Sequence, residues 1–159
     1  MAVLTSVALT IFIVELQIPV LVPIPGVKLG LANIITLYAV FVLGPADAAC
    51  ILVVRILLGS MFSGQMISLL YSLAGGLLCY LVMLLLHRFC SLKQIWVCSV
   101  FGAVAHNIGQ ITIAILLTGT PALICYLPVL MVSGIIAGIF TGFCAQFVVN
   151  RLAGVQQMN

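Results

Sequence analysis

Apolar residues fill six long stretches of this sequence, and short breaks containing glycine, proline or polar residues separate them. A transmembrane helix needs about 20 mostly apolar residues, and most of the stretches approach that length. They exceed a membrane β-strand, in which apolar and polar residues would alternate over about ten positions. We therefore predict six transmembrane helices, over about residues 2–19, 29–43, 46–62, 66–86, 95–117 and 122–149, the last with a break near Pro128.

Composition supports an integral membrane protein over any soluble class. Of the 159 residues, 65% are hydrophobic and 4% are charged, and the mean hydropathy is +1.47. A soluble chain of this size cannot bury that much apolar surface. We expect one transmembrane domain over residues 1–159, and the net charge of +3 is too small for a nucleic-acid surface. The six cysteines form no C-x-x-C pair and are expected to pack as small hydrophobes.

The basic residues predict the orientation. Arg88 and Lys93 lie between the fourth and fifth predicted helices, and Arg151 follows the sixth. The positive-inside rule then places these loops and both termini in the cytoplasm. Lys28, in a proline-rich connection after the first helix, falls outside. Either it only reaches the interface or it serves a function of its own.

The strongest candidate for a functional site lies in the fifth predicted helix. His106 and Gln110 are four residues apart and Asn107 is beside them, near mid-membrane. Polar groups at this depth are costly and often line a ligand pathway. They also form hydrogen bonds that only hold helices together. We favour a pocket because three such residues within five positions exceed what helix packing needs.

Two charges fall inside predicted helices, Glu15 in the first and Arg55 in the third. Each needs a partner, since an unpaired charge costs roughly 2.5–3.5 kcal/mol on insertion scales. One interpretation is a Glu15–Arg55 ion pair. The other is that one of them meets a charged group of a ligand. Asn33, together with Arg55 if Glu15 does not fully occupy it, would complete the wall of the pocket in the fifth helix, and the connection that carries Lys28 would close this pocket from outside.

Small residues line one face of two predicted helices. In the sixth, glycines recur every four residues, as in a doubled G-x-x-x-G motif, at Gly134, Gly138 and Gly142. In the first, Ala2, Ser6 and Thr10 have the same spacing. Such faces pack closely against another helix, which belongs either to this chain or to another subunit.

Signatures of self-contained enzyme chemistry are missing from the sequence. It has no Walker loop and no D-D-x-x-D motif, and Glu15 and Asp47 are its only acidic residues. Two carboxylates are too few to hold Mg²⁺ for diphosphate chemistry. We therefore expect no enzyme activity, no metal site and no cofactor.

Three motifs in order give a family resemblance: P-G-V-K-L-G-L-A-N-I over residues 25–34, V-R-I-L-L-G-S over 54–60 and A-H-N-I-G-Q over 105–110. The chain resembles the family heptaprenyl diphosphate synthase component I, also called the Gx transporter family. That family in turn is similar to bacterial substrate-binding S components of energy-coupling factor (ECF) transporters. Those have six helices, a pocket under the loop after helix 1, and a small-residue face that docks on a coupling subunit.

The resemblance implies a membrane protein of the cytoplasmic membrane that binds a small, vitamin-like or isoprenoid- or quinone-related molecule for uptake. A transmembrane coupling subunit and ATPases from other chains would supply the energy. Residues 23–28 would close the pocket and Ala2, Ser6 and Thr10 would dock, although alanines are typical where this chain has Ser6 and Thr10. The alternatives are a subunit of a quinone- or flavin-linked electron-transfer assembly and, third, an accessory to prenyl diphosphate synthesis.

Overall fold

The structure, a computed structural model, describes residues 2–17, 30–64, 66–91 and 94–156. These residues are almost entirely helical, and no strand occurs among them. The elements are α1 (Ala2–Gln17), α2 (Asn33–Val42), α3 (Pro45–Ser63), α4 (Met66–His87), α5 (Ile95–Thr118), a 3₁₀ helix (Pro121–Tyr126) and α6 (Leu127–Gln156).

Glycine and proline define several of the helix ends. Gly44, with φ of 105°, precedes Pro45, the first residue of α3, where a missing backbone N–H costs nothing. Gly64 and Gly119 end α3 and α5 in the left-handed conformation, which glycine adopts without strain. The predicted break near Pro128 is a 3₁₀ turn that ends at Tyr126, and Pro128 itself lies in the first turn of α6.

Four helical stretches are long and apolar enough to cross a bilayer: Pro45–Phe62, Ile67–His87, Ile95–Thr118 and Pro121–Arg151. This fits the predicted membrane protein. The apolar stretches Ala2–Glu15 and Asn33–Val42 are shorter. The described residues thus contain the predicted number of main helices, whereas six membrane crossings stay a prediction.

The short helix α2 lies at the centre of the bundle and contacts each of the other five main helices. On one side of it α5 packs between α4 and α6, and on the other α1 packs against α3. Leu37 of α2 belongs to a buried cluster with Ile95 at the start of α5. The carboxyl end of α2 therefore points to the end of the bundle where α5 begins.

The amino end of α2 lies about halfway along the bundle. Ten residues span ~15 Å, and Arg55, which contacts Asn33, is ten residues into α3. We predicted a longer helix from residue 29, but residues 31–32 form a turn and the helix begins at Asn33. Gly30 precedes this turn with a φ of 78°, outside the helical region. The helix therefore starts at mid-depth.

Apolar side chains form the rest of the interior and much of the outer surface. Tyr71, Ile111, Ala114 and Leu130 form one buried cluster near the carboxyl end of α5. The outer face of α6 exposes large apolar side chains, among them Ile136, Phe140, Phe143 and Phe147. A membrane supplies the apolar solvent that such a surface needs.

Candidate functional site

A group of buried polar side chains surrounds the amino end of α2. Glu15 comes from α1, Asn33 and Thr36 from α2, Arg55 from α3, and His106 and Gln110 from α5, and all are less than one-tenth exposed. Burying such groups is costly unless each finds a partner. Their contacts therefore indicate what the site can hold.

The carboxylate of Glu15 caps α2. It accepts a hydrogen bond from the backbone N–H of Gly30 and further ones from the N–H groups of Leu31 and Ala32. Ala32, at the N-cap position, has no side chain that can accept these hydrogen bonds. A negative charge here is also favoured by the positive end of the helix dipole. Glu15 thus stabilises the start of a helix fifteen or more residues away in sequence.

The guanidinium group of Arg55 binds the first residue of α2. Its Nη2 donates to Oδ1 of Asn33 at 3.0 Å. Arg55 and Glu15 interact electrostatically, but the hydrogen bonds that each forms lead to different partners. The predicted ion pair is therefore an interaction between neighbouring charges, without a hydrogen bond that joins them among the described residues.

Three side-chain groups at the amino end of α2 lack a hydrogen-bond partner within the described part of the chain. They are the N–H donors Nε of Arg55 and Nδ2 of Asn33, and the hydroxyl of Thr36. Most buried polar atoms in native proteins have a partner. The two N–H donors belong to side chains that are hydrogen-bonded to each other, so they form one group with hydrogen bonds left to make.

The imidazole ring of His106 lies between two glycines. A methyl group placed on Gly30 would lie 3.0 Å from its Cδ2 and 2.9 Å from Nδ2 of Asn33. A methyl group on Gly75 of α4 would lie 2.9 Å from its Cε1 and Nδ1. Because neither glycine has a side chain, the ring fits between α4 and the turn that precedes α2.

Gln110 occupies the same side of α5 as His106. It is fully buried, and its Cγ lies 2.9 Å from the position of a methyl group on Gly75. Gly109 allows the two helices to approach, since a methyl group there would lie 2.8 Å from the carbonyl oxygen of Ala74. The structure therefore brings His106 and Gln110 together against α4.

Asn107 points in another direction, toward α6. Its Nδ2 donates to the carbonyl oxygen of Leu130 at 2.5 Å and contacts the position of a methyl group on Gly134. Residues one apart on a helix do not share a face. We grouped Asn107 with His106 and Gln110 in one pocket, whereas the structure places it in the α5–α6 interface.

The glycine face of α6 packs within the chain, against α5. A methyl group on Gly138 would lie 2.8 Å from Cα of Val100, and one on Gly142 would lie 2.6 Å from Cα of Trp96. A hydrogen bond of 3.0 Å between Ser99 and Thr141 joins the helices nearby. Gly134, Gly138 and Gly142 therefore have α5 as their partner.

The small-residue face of α1 is exposed. Ala2, Ser6 and Thr10 all lie on the surface. The hydroxyl of Ser6 donates to the carbonyl of Ala2, and that of Thr10 donates to the carbonyl of Ser6. Both hydroxyls form hydrogen bonds within their own helix, so this face has small side chains and does not require water to satisfy them.

Lys28 and the proline-rich connection over residues 23–28 lie outside the described residues. Gly30 and the capping role of Glu15 were not predicted. Gly30 lies in the first family motif, but its spacing alone does not show which carboxylate its N–H contacts. The role of Gly75 was not predicted either, since its contact with His106 depends on how α4 and α5 are aligned.

A family model described as heptaprenyl diphosphate synthase component I matches residues 4–148. The match spans most of the chain, and the chain therefore belongs to this family. Neither the curated proteins nor the solved structures contain a significant match to it.

Proposed function

We propose that this member of the heptaprenyl diphosphate synthase component I family is a substrate-binding membrane protein of the S-component type. It captures a small molecule with a polar or anionic head and an apolar body, of the vitamin-like or isoprenoid- or quinone-related kind. The ligand lies near the amino end of α2, and the protein is not itself an enzyme.

The observation that supports this proposal is the buried donor group at the centre of the bundle. Arg55 is 4% exposed and Asn33 is 6% exposed, yet Nε of one and Nδ2 of the other lack an acceptor among the described residues. Strongly polar side chains are rare in a membrane interior, and where they occur they commonly mark the pathway of a ligand or an ion. Apolar helices around a few polar groups are also the usual lining of a small-molecule site.

The proposal extends to the parts that complete such a site. Lys28 and the connection over residues 23–28 would cover it from outside. The exposed face formed by Ala2, Ser6 and Thr10 would dock on a transmembrane coupling subunit, with ATPases supplied by other chains. Both termini would lie in the cytoplasm. These assignments rest on the resemblance to S components and on the exposure of that face.

Ligand capture is tested by purifying the protein in mild detergent and identifying bound small molecules by mass spectrometry. His106→Ala and Gln110→Ala should fold but retain less ligand, by about 1–3 kcal/mol for one lost buried hydrogen bond. Asn107→Ala is the matched control, since its side chain faces α6. It should lower thermal stability while leaving ligand retention unchanged.

Two results would contradict the proposal. One is that no small molecule co-purifies with the wild-type protein. The other is that all three alanine variants retain ligand as the wild type does, which would mean that the polar groups only hold helices together.

A second candidate follows from the description of the family, which names a synthase component. In that case the chain would be a non-catalytic membrane partner in prenyl diphosphate synthesis. Affinity purification from the native membrane separates the two candidates. A soluble prenyl synthase bound in fixed proportion supports the second candidate, and a transmembrane coupling subunit with ATPases supports the first. A bound quinone or a redox protein would instead support the electron-transfer alternative.

A further inference from the structure

The short helix α2 has its amino end in the interior of the bundle, which is unusual for a helix of a membrane protein. Its amino end lies beside Arg55 at the middle of α3 and beside His106 at the middle of α5. The amino end of a helix carries a partial positive charge and free N–H groups. In membrane proteins, such half-helix ends at mid-depth point at anionic groups of substrates.

The groups around this helix end are mostly hydrogen-bond donors. The N–H groups of Gly30, Leu31 and Ala32 point at one carboxylate, that of Glu15. The guanidinium of Arg55 and the amide of Asn33 lie beside them, each with one donor atom that lacks an acceptor within the described residues. An arrangement of backbone N–H groups with a buried arginine is the usual composition of an anion site.

We infer that the amino end of α2 is a binding site for the carboxylate or phosphate group of the ligand, and that Glu15 occupies this site until the ligand displaces it. The inference rests on the proposed function and names the chemical class of its ligand. The site offers more donors than Glu15 satisfies, so an incoming anion gains contacts with Arg55 and Asn33 that Glu15 does not make.

The position of Glu15 allows this exchange. It lies near the carboxyl end of the described part of α1 (Ala2–Gln17). A change of its side-chain conformation therefore leaves the rest of α1 in place, including the contact of Phe12 with Gly59. With Glu15 in the site, the charges of Glu15 and Arg55 cancel. An anion that binds while Glu15 is still in the site is repelled by its carboxylate, whereas an anion that displaces Glu15 is not.

The test compares the full chain and its Glu15→Gln variant in lipid nanodiscs. The probes are geranyl monophosphate, geranic acid and geraniol, which share one apolar tail and differ in the head group. Glutamine still accepts hydrogen bonds from α2 but carries no charge. We expect Glu15→Gln to bind one or both anionic probes about tenfold more tightly than the wild type, and geraniol with unchanged affinity.

The two anionic probes distinguish a phosphate site from a carboxylate site. A third protein, Glu15→Gln with Arg55→Met, controls for the role of the arginine. It carries Arg55→Met in the Glu15→Gln background, so that comparison with Glu15→Gln alone isolates the contribution of the guanidinium group. This double variant should lose the preference for anionic probes over geraniol.

Four outcomes would overturn the inference. If Glu15→Gln and the wild type bind all probes equally, Glu15 does not compete with the ligand, although ligand capture itself would stand. If Glu15→Gln weakens binding of the anionic probes, Glu15 is a binding group. If a small molecule co-purifies with the wild type but no probe binds, the anion site is wrong and the proposed function stands. If nothing co-purifies and no probe binds, both fail.

Discussion

His106 owes its position to the absence of side chains around it. Gly30 and Gly75 flank the imidazole ring, and a methyl group on either would lie about 3 Å from it. Gly30 also has a φ of 78°, a conformation that other residues adopt only with strain. The ring therefore fits only because two glycines meet at this level of the bundle.

Gly75→Ala should reduce ligand affinity because the added methyl group displaces His106 and Gln110. We expect a loss of about tenfold, equivalent to ~1.4 kcal/mol. Gly76→Ala is the matched control. The nearest atoms to its methyl group are the flexible ends of Ile56 and Leu52, at 2.9 Å and 3.2 Å, so it should bind ligand normally.

Titration of a labelled or co-purified ligand checks this prediction, with thermal unfolding as the measure of folding. Equal affinity of Gly75→Ala and Gly76→Ala would show that the position of His106 does not matter for binding. Unfolding of Gly75→Ala alone would show that this glycine is needed for helix packing.

The sequence predicts which residues are unusual more reliably than which residues they contact. Arg55, His106 and Gln110 stand out because they are polar within apolar stretches. His106 and Asn107 point in different directions because adjacent helix positions are about 100° apart. The sequence does not show that α4 lies on the side of His106 and α6 on the side of Asn107. Likewise, Glu15 needed a partner, and its partner is a backbone turn with no distinctive side chain.

At the scale of helices, the two small-residue faces have different surroundings. Glycines of α6 lie against the backbone of α5, so that a methyl group on Gly138 would lie 2.8 Å from Cα of Val100. The face of α1 that carries Ser6 is exposed. The same spacing of small residues therefore serves an internal contact in one helix and leaves an open surface in the other. Spacing predicts close packing, and only the structure assigns the packing partner.

This difference gives a paired prediction. Gly138→Leu should prevent stable folding because its side chain would overlap the backbone of α5, and overpacking typically costs 1–3 kcal/mol or more. Ser6→Leu should leave the protein folded, since its side chain points away from the bundle. If α1 docks on a coupling subunit, Ser6→Leu should also abolish co-purification of that subunit.

Size-exclusion chromatography and thermal unfolding of the two variants check the first half, and affinity purification checks the second. A folded Gly138→Leu protein would contradict the α5–α6 packing. A Ser6→Leu protein that still binds the coupling subunit would exclude this face as the docking surface.

At the scale of the whole molecule, composition and apolar length were enough to predict an all-helical fold with six main helices, four of which the structure shows to be long and apolar enough to cross a membrane. They could not predict that α2 spans only half of the bundle. Residues 29–43 are apolar enough for a longer helix, but Gly30 adopts a positive φ and the chain turns before Asn33. The length of an apolar stretch limits where a helix is stable in lipid, but a single residue, here Gly30, determines where in that stretch the helix begins.

The arrangement of the helix ends leads to the last prediction, the orientation of the protein in the membrane. Arg88, just after α4, and Arg151, near the end of α6, lie at the end of the bundle where α5 begins. Thr120, just after α5, lies at the opposite end. The positive-inside rule places the arginine end in the cytoplasm.

In a background with the six native cysteines replaced by alanine, a membrane-impermeant maleimide should label Thr120→Cys in intact cells. It should label Arg88→Cys and Arg151→Cys only after permeabilisation, and Lys28→Cys should behave as Thr120→Cys does. Labelling of Arg88→Cys and Thr120→Cys from the same side would show that α5 does not cross the membrane, and the mid-depth position of the site would then be wrong as well.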